Sequence, residues 1–335
     1  MSPYGLDAER EIESIYNAGL SIEELNLLPS PKYAYPLFIP LRTDELPYNY
    51  VVPVQWVAMD ARQLLGRVRV DHSVASRMRG RDPIQLRSQL RVASPTRVLG
   101  VLNGADKLLE GFWGMPRRQF FRELASAGVN LCTGPTFSVV REGYTEDVGV
   151  PAAHNITMVR RHHMVATEMG SSGIPCAPNL YWRDDRNRAQ WVEWLGVNRH
   201  VNVVSRDFSR TKDPSAFRPH LDGLAEILDR IGRKLHVILI GVGPRNSRYA
   251  LETLASVGAT CSLVTAHPIV VALSGGRRLR LNPSGDLNTD VSLTSSRLSL
   301  VGTNIRTFES YLASIAQPLL PYCENSLVHA VAVTS

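Results

Sequence analysis

The residues best placed for chemistry are the polar ones that close a series of short apolar runs. Asn103 with Asp106, Thr133 with Ser138, Trp182 with Asp184, Ser205 with Asp207, Gly241 with Gly243, and His267 each follow such a run. A carboxylate there can take or give a proton, and neighbouring hydroxyl and amide groups can orient a substrate. Asp106 and Asp184, with Asn103 beside them, are the catalytic candidates, and Asp207 is of the same kind. Thr133, Ser138, Trp182, Ser205 and His267 would line the ligand. The competing reading is structural, because Asp and Ser after a strand also cap the next helix.

Gly241-Val-Gly243-Pro-Arg245-Asn-Ser247 is the most phosphate-like element. A strand runs into a glycine loop and a helix start, where free N–H groups and Arg245 can hold an anion. Neither the Walker pattern nor the full dinucleotide fingerprint is present. Arg160-Arg161-His162-His163, with Asn155 one to two turns earlier, reads as a solvated or phosphate-facing patch. Adjacent helical residues point about 100° apart, so the two histidines do not form a metal pair, and no metal is expected. Trp182 is either a stacking platform or a core aromatic. No nucleophile elbow, His-Glu-x-x-His helix or iron–sulfur cysteine set occurs.

The elements that position these residues alternate. Strand-like runs start at Val98, Val129, Pro175, Val201, His236 and Cys261. Between them lie helical patterns over Met115–Ala127, Pro151–Met169, Trp191–Leu195, Phe217–Ile231 and Arg245–Val257, most stopped by glycine. Such alternation implies a mainly parallel α/β sheet. Adding Val51–Met59 and Leu298–Gly302 gives eight strands, so the expected fold is a TIM-like barrel, complete or lacking strands. An open doubly wound sheet is the alternative. Ile269–Leu273, Gly275-Gly276 and Arg277–Leu281 read as a hairpin, and Thr307–Ala316 as the last helix. Further helices are expected at 6–18, Ser73–Arg79 and Pro83–Val92, with a short one opening at Ser21. The domain reading is an N-terminal extension over 1–50, the α/β domain over 51–318, and a tail over 319–335.

The chain has 37 Lys+Arg against 31 Asp+Glu, a net charge of +6. Nine arginines fall between Arg62 and Arg97 against two aspartates. Among them Arg77, Arg79, Arg81, Arg87 and Arg91 are the candidates for nucleic-acid contact. An acidic protein partner or plain solvation are the alternatives. No apolar run reaches the length of a membrane span, no secretory pattern opens the sequence, and the four cysteines lack CxxC spacing. A cytoplasmic protein is expected, with no membrane partner and no cofactor that the residues name.

Thr133-Gly-Pro-Thr-Phe-Ser138, Pro151-Ala-Ala-His-Asn155, Arg160-Arg161, Gly173-Ile-Pro175 and Trp182-Arg-Asp184 occur in that order. Over about residues 97–265 the chain resembles the bacterial and phage family called domain of unknown function 4417. Thr136 departs from the acidic residue that family would place after the proline, which puts a carboxylate role there in doubt. The resemblance implies the α/β fold and a mobile-element or phage-related setting, not an activity. The resulting expectation is a nucleic-acid- or nucleotide-phosphate-directed protein, with enzymatic status open. A non-enzymatic DNA-binding or interaction component is the second reading, and a carbohydrate-active barrel the third.

Overall fold

The computed structural model describes residues 22, 25–46, 50–65, 95–104, 106–137, 152–182, 184–211, 213–291 and 296–322. The expected helices at 6–18, Ser73–Arg79 and Pro83–Val92 lie outside these residues, and so do Ser138 and Arg77, Arg79, Arg81, Arg87 and Arg91. The short apolar runs form eight parallel strands: β1 (Phe38–Pro40), β2 (Trp56–Asp60), β3 (Arg97–Val101), β4 (Val129–Thr133), β5 (Cys176–Ala177), β6 (Val203–Asp207), β7 (His236–Ile240) and β8 (Thr260–Thr265). They make two four-stranded sheets, ordered β1-β8-β7-β6 and β2-β3-β4-β5. Single parallel bridges, Leu41 to Ala58 and Asn179 to Ser205, link one sheet to the other at both edges.

The strand side chains sort onto two faces with a period of two. Ile39, Trp56, Ala58, Leu99, Val101, Leu131, Ala177, Val203, Ile238, Ile240 and Val264 form one buried cluster with members from all eight strands. The alternate residues, among them Phe38, Val57, Met59, Cys132, Val204, Val237, Leu239 and Leu263, pack into the larger core with the helices. Those helices are α1 (Ala61–Leu65), α2 (Asp106–Trp113), α3 (Arg117–Ser126), α4 (Ala152–Ser171), α5 (Asp185–Val197), α6 (Pro214–Ile231), α7 (Pro244–Ser256), α8 (His267–Gly275) and α9 (Arg297–Ala316). Sequence explains their ends. Asp213 caps α6 with Pro214 at its first turn, and Gly232 at φ 64° stops it.

The N-terminal ends of the strands are covered by the segment before β1. Tyr35 stacks on His236 with ring centroids 4.6 Å apart, and both Tyr33 and Tyr35 meet Trp56. Arg97 lies 4.8 Å above the Tyr33 ring. Ser262 Oγ donates to Pro36 O, so it accepts from His236 Nε2 at 3.0 Å. His236 therefore carries its proton on Nε2, and Nδ1 accepts from Thr260 Oγ1 at 2.9 Å. A cavity of about 40 Å³ beside these residues is lined mainly by apolar groups such as Leu37, Leu251 and Leu319.

Three expectations need correction. Leu298–Gly302 is not a strand but the first part of α9, because Leu300, Val301, Ile305, Phe308 and Leu312 recur at helical spacing and are buried. The remaining parallel strand is Phe38–Pro40, inside the segment read as an N-terminal extension, which pairs with β8 from Phe38–Leu263 to Pro40–Thr265. Ile269–Leu273 belongs to α8, which Pro268 opens and Gly276 closes at φ 57°. The hairpin exists, but its arms are β9 (Arg277–Leu281) and β10 (Leu287–Val291). Among the described residues no helix is long and apolar enough to cross a membrane.

Candidate functional site

On five of the eight strands, the residue two past an inward-facing position is polar and stands at the C-terminal end. Ala58 leads to Asp60, Val101 to Asn103, Leu131 to Thr133, Ala177 to Asn179 and Ser205 to Asp207. An apolar interior therefore ends in a rim of carboxylates, amides and a hydroxyl. This is the end at which parallel α/β proteins hold substrates.

Local hydrogen bonds fix the rim. Asp60 Oδ1 accepts from Gln63 N at 2.9 Å, which caps α1, and Asp207 Oδ1 accepts from Ser209 N at 2.8 Å. Asn179 Oδ1 accepts from Asp207 N at 3.1 Å, tying β5 to β6 across the bridge between the sheets. Thr133 Oγ1 accepts from Leu102 N at 3.2 Å and is fully buried. Asn103 is half-buried just past β3. Burial pushes the Asp60 carboxyl above its usual range; the Gln63 N–H opposes this, and the Asp44 charge adds to it. A carboxyl held closer to neutrality is suited to acid/base work.

The loops after β7 and β8 carry the glycine, arginine and histidine candidates. Gly241 has φ 82°, and a Cβ there would lie 2.4 Å from Ser209 Cα, so close packing of two loops demands glycine at that position. Gly243 precedes α7 with open space around its Cα, and Pro244 removes one N–H from the helix start. Arg245 is exposed in the first turn. Its charge helps hold Asp213 below the usual carboxylate range, after the hydrogen bonds from Ser215. His267 begins α8, and burial lowers its pKa.

The remaining candidates lie on the following elements. Asp184 caps α5, accepting from Asn187 N at 2.9 Å. Asp106 opens α2, and its side chain lies outside the described residues. Trp182 is buried with the Arg206 guanidinium 4.3 Å above its ring, and Gly223 packs against its edge. It belongs to the core. Ser205, fully buried on β6, donates to Ala177 O at 3.0 Å. Asn155 is buried in α4 and Arg160 is exposed there.

The reading of residues 160–163 as one solvated patch is corrected for the histidines. His162 and His163 are buried, because their side of α4 packs on Tyr181 and Trp191. His162 Nδ1 lies 2.8 Å from Pro135 O. Desolvation lowers its pKa to about 4, and that of His163 to about 3. Arg161 pairs with Glu110 and stacks 4.8 Å from Trp113.

Two rim residues, Asp60 and Asn179, escaped the sequence reading. Asp60 directly follows the β-like run Val51–Met59, and that adjacency was the available signal. Asn179 was hidden because Pro175–Trp182 reads as one strand, whereas Pro178 limits β5 to Cys176–Ala177.

No family model matches the sequence, and no curated protein matches it. Among solved structures the chain is similar to one titled "Structure of L-ribulose 3-epimerase". The identity is 10% and the TM-score 0.38, over 80% of this chain and 87% of that one.

Proposed function

We propose that the eight parallel strands close into one TIM-like barrel whose C-terminal mouth binds a small phosphorylated ligand of the nucleotide class. The single cluster built from all eight strands supports closure, as do the two bridges between the sheets. The observation that carries the functional reading is the polar rim of Asp60, Asn103, Thr133, Asn179 and Asp207 over that apolar interior. Hydroxyl and amide groups there suit a hydroxyl-bearing ligand, and Arg245 beside the β7 loop suits its phosphate. Asp60 would hold or release the proton, and Asp207 would orient the ligand opposite it. In this reading Arg62–Arg97 meets nucleic-acid backbone, and the setting is the mobile-element or phage-related one implied by the family resemblance.

A second reading, a carbohydrate-directed barrel, draws on one observation. Asp60 and Asp207 end β2 and β6, which lie four strands apart in a closed eight-strand ring, as opposed carboxylates should.

Binding of labelled DNA and RNA across a salt series, with an Arg77/Arg79/Arg81→Ala variant, tests the nucleic-acid part. Binding that weakens steeply with salt and is lost in the variant is the expected result. Equal binding by wild type and variant, or none at low salt, would remove nucleic acid from the proposal.

A further inference from the structure

The hairpin β9–β10 has two unlike edges. Along β9, Leu279 N–H donates to Asn304 Oδ1 at 2.8 Å. Asn304 Nδ2 in turn donates to Arg277 O at 3.0 Å and Pro268 O at 3.2 Å. One fully buried amide therefore closes that edge. The opposite edge, along β10, pairs with no other strand among the described residues.

The register shows which groups that edge presents. Asn282 N–H bonds Asp286 O, so alternation makes Arg280–Asn288 and Arg278–Asp290 the hydrogen-bonded pairs. Leu287, Thr289 and Val291 then turn their N–H and C=O groups outward. The Leu279 N–H, which points away from its partner Thr289 to reach Asn304, agrees with this assignment. The edge carries no proline, lysine or bulge of the kind that normally blunts an exposed strand, and its one charged residue, Asp290, is paired with Arg280.

The sequence of β10 is complementary to itself in antiparallel register. About a twofold axis at Thr289, Leu287 of one copy faces Val291 of the other, Thr289 faces Thr289, and Asn288 faces Asp290. Val291 is 66% exposed, large for a β-branched apolar residue, and would gain an apolar neighbour. The Asp290 carboxylate, 3.1 Å from Arg280 within the hairpin, would accept from the Asn288 amide across the axis. Apolar side chains therefore meet apolar ones, and polar side chains polar ones, across the axis.

We propose that β10 pairs with β10 of a second copy of this chain, making a continuous four-stranded antiparallel sheet and an isologous dimer. The inference is independent of what the strand-end rim binds. Light scattering on the full chain across a concentration series, with two variants, tests it. Thr289→Pro removes an outward N–H from each copy without breaking the hairpin ladder. Dimer affinity should fall about thirtyfold, the loss of two hydrogen bonds worth about 2 kcal/mol. Thr289→Cys places two thiols across a hydrogen-bonded pair about 5.5 Å apart at Cα, within disulfide reach. Mild oxidation should give a covalent dimer, whereas Val197→Cys on α5, also exposed, should not. A wild type that stays monomeric throughout would overturn the proposal. So would a dimer undiminished by Thr289→Pro in which Thr289→Cys links no faster than Val197→Cys.

Discussion

Asp60 and Asp207 each accept a backbone N–H that shapes the chain after a strand, and each also stands on the rim. One substitution separates the two roles. Asn caps a helix about as well as Asp but cannot exchange a proton or bear a charge. Asp60→Asn and Asp207→Asn should therefore leave the thermal midpoint nearly unchanged while ligand affinity or turnover falls about tenfold or more. If both variants match wild type in function, these aspartates are caps alone. The buried histidines give a second test. His162 is lowered to about 4, and His163 and His236 to about 3, because burial disfavours the charged ring. The unfolded chain, titrating near 6.5, binds more protons over that window, so stability rises with pH across it. Stability is fully present above about pH 6.5 and falls as the solution is acidified toward 3. At pH 5 each histidine costs about 2 kcal/mol, which urea unfolding at pH 7 and pH 5 would read as a lower midpoint.

At the scale of elements, the loops that join strands to helices were more legible than the strands' exact ends. Among the described residues, five expected helices end within two residues of the glycine expected to stop them (Gly128, Gly170, Gly196, Gly232 and Gly258), because glycine leaves the helix geometrically rather than through distant contacts. Two elements depend on more than a local window. Phe38–Pro40 is a strand because β8 lies beside it, and Leu298–Gly302 is helical because its apolar positions continue at helical spacing into Ile305, Phe308 and Leu312, a period longer than the five-residue run. The glycine loop after β7 makes the same point. Gly241→Ala should destabilise by about 1–3 kcal/mol through its positive φ and its contact with Ser209, whether or not phosphate binds nearby. Gly243→Ala, with open space around it, should cost far less. Asn304→Ala would strand the Leu279 N–H and the Arg277 carbonyl, and should cost about 2 kcal/mol or more in chemical denaturation.

For the molecule as a whole, the repeating strand–helix order announced a parallel α/β fold before any contact was known. The rim could not be read the same way. It depends on which of two alternating faces each strand turns inward, and a one-residue error in a strand end exchanges the faces. Asp184 and Trp182 illustrate the cost, since both sit at a sequence position suited to chemistry and both serve packing or capping. Calorimetric titration tests whether the strand-end mouth binds the proposed phosphorylated nucleotide-class ligand. Nucleoside phosphates and their unphosphorylated nucleosides would be compared on wild type, Asp60→Asn and Arg245→Ala. Saturable binding of at least one phosphorylated ligand, no binding of its nucleoside, and affinity about tenfold lower in each variant are the expected results. No binding of any phosphorylated ligand, or binding that both substitutions leave unchanged, would contradict the proposal.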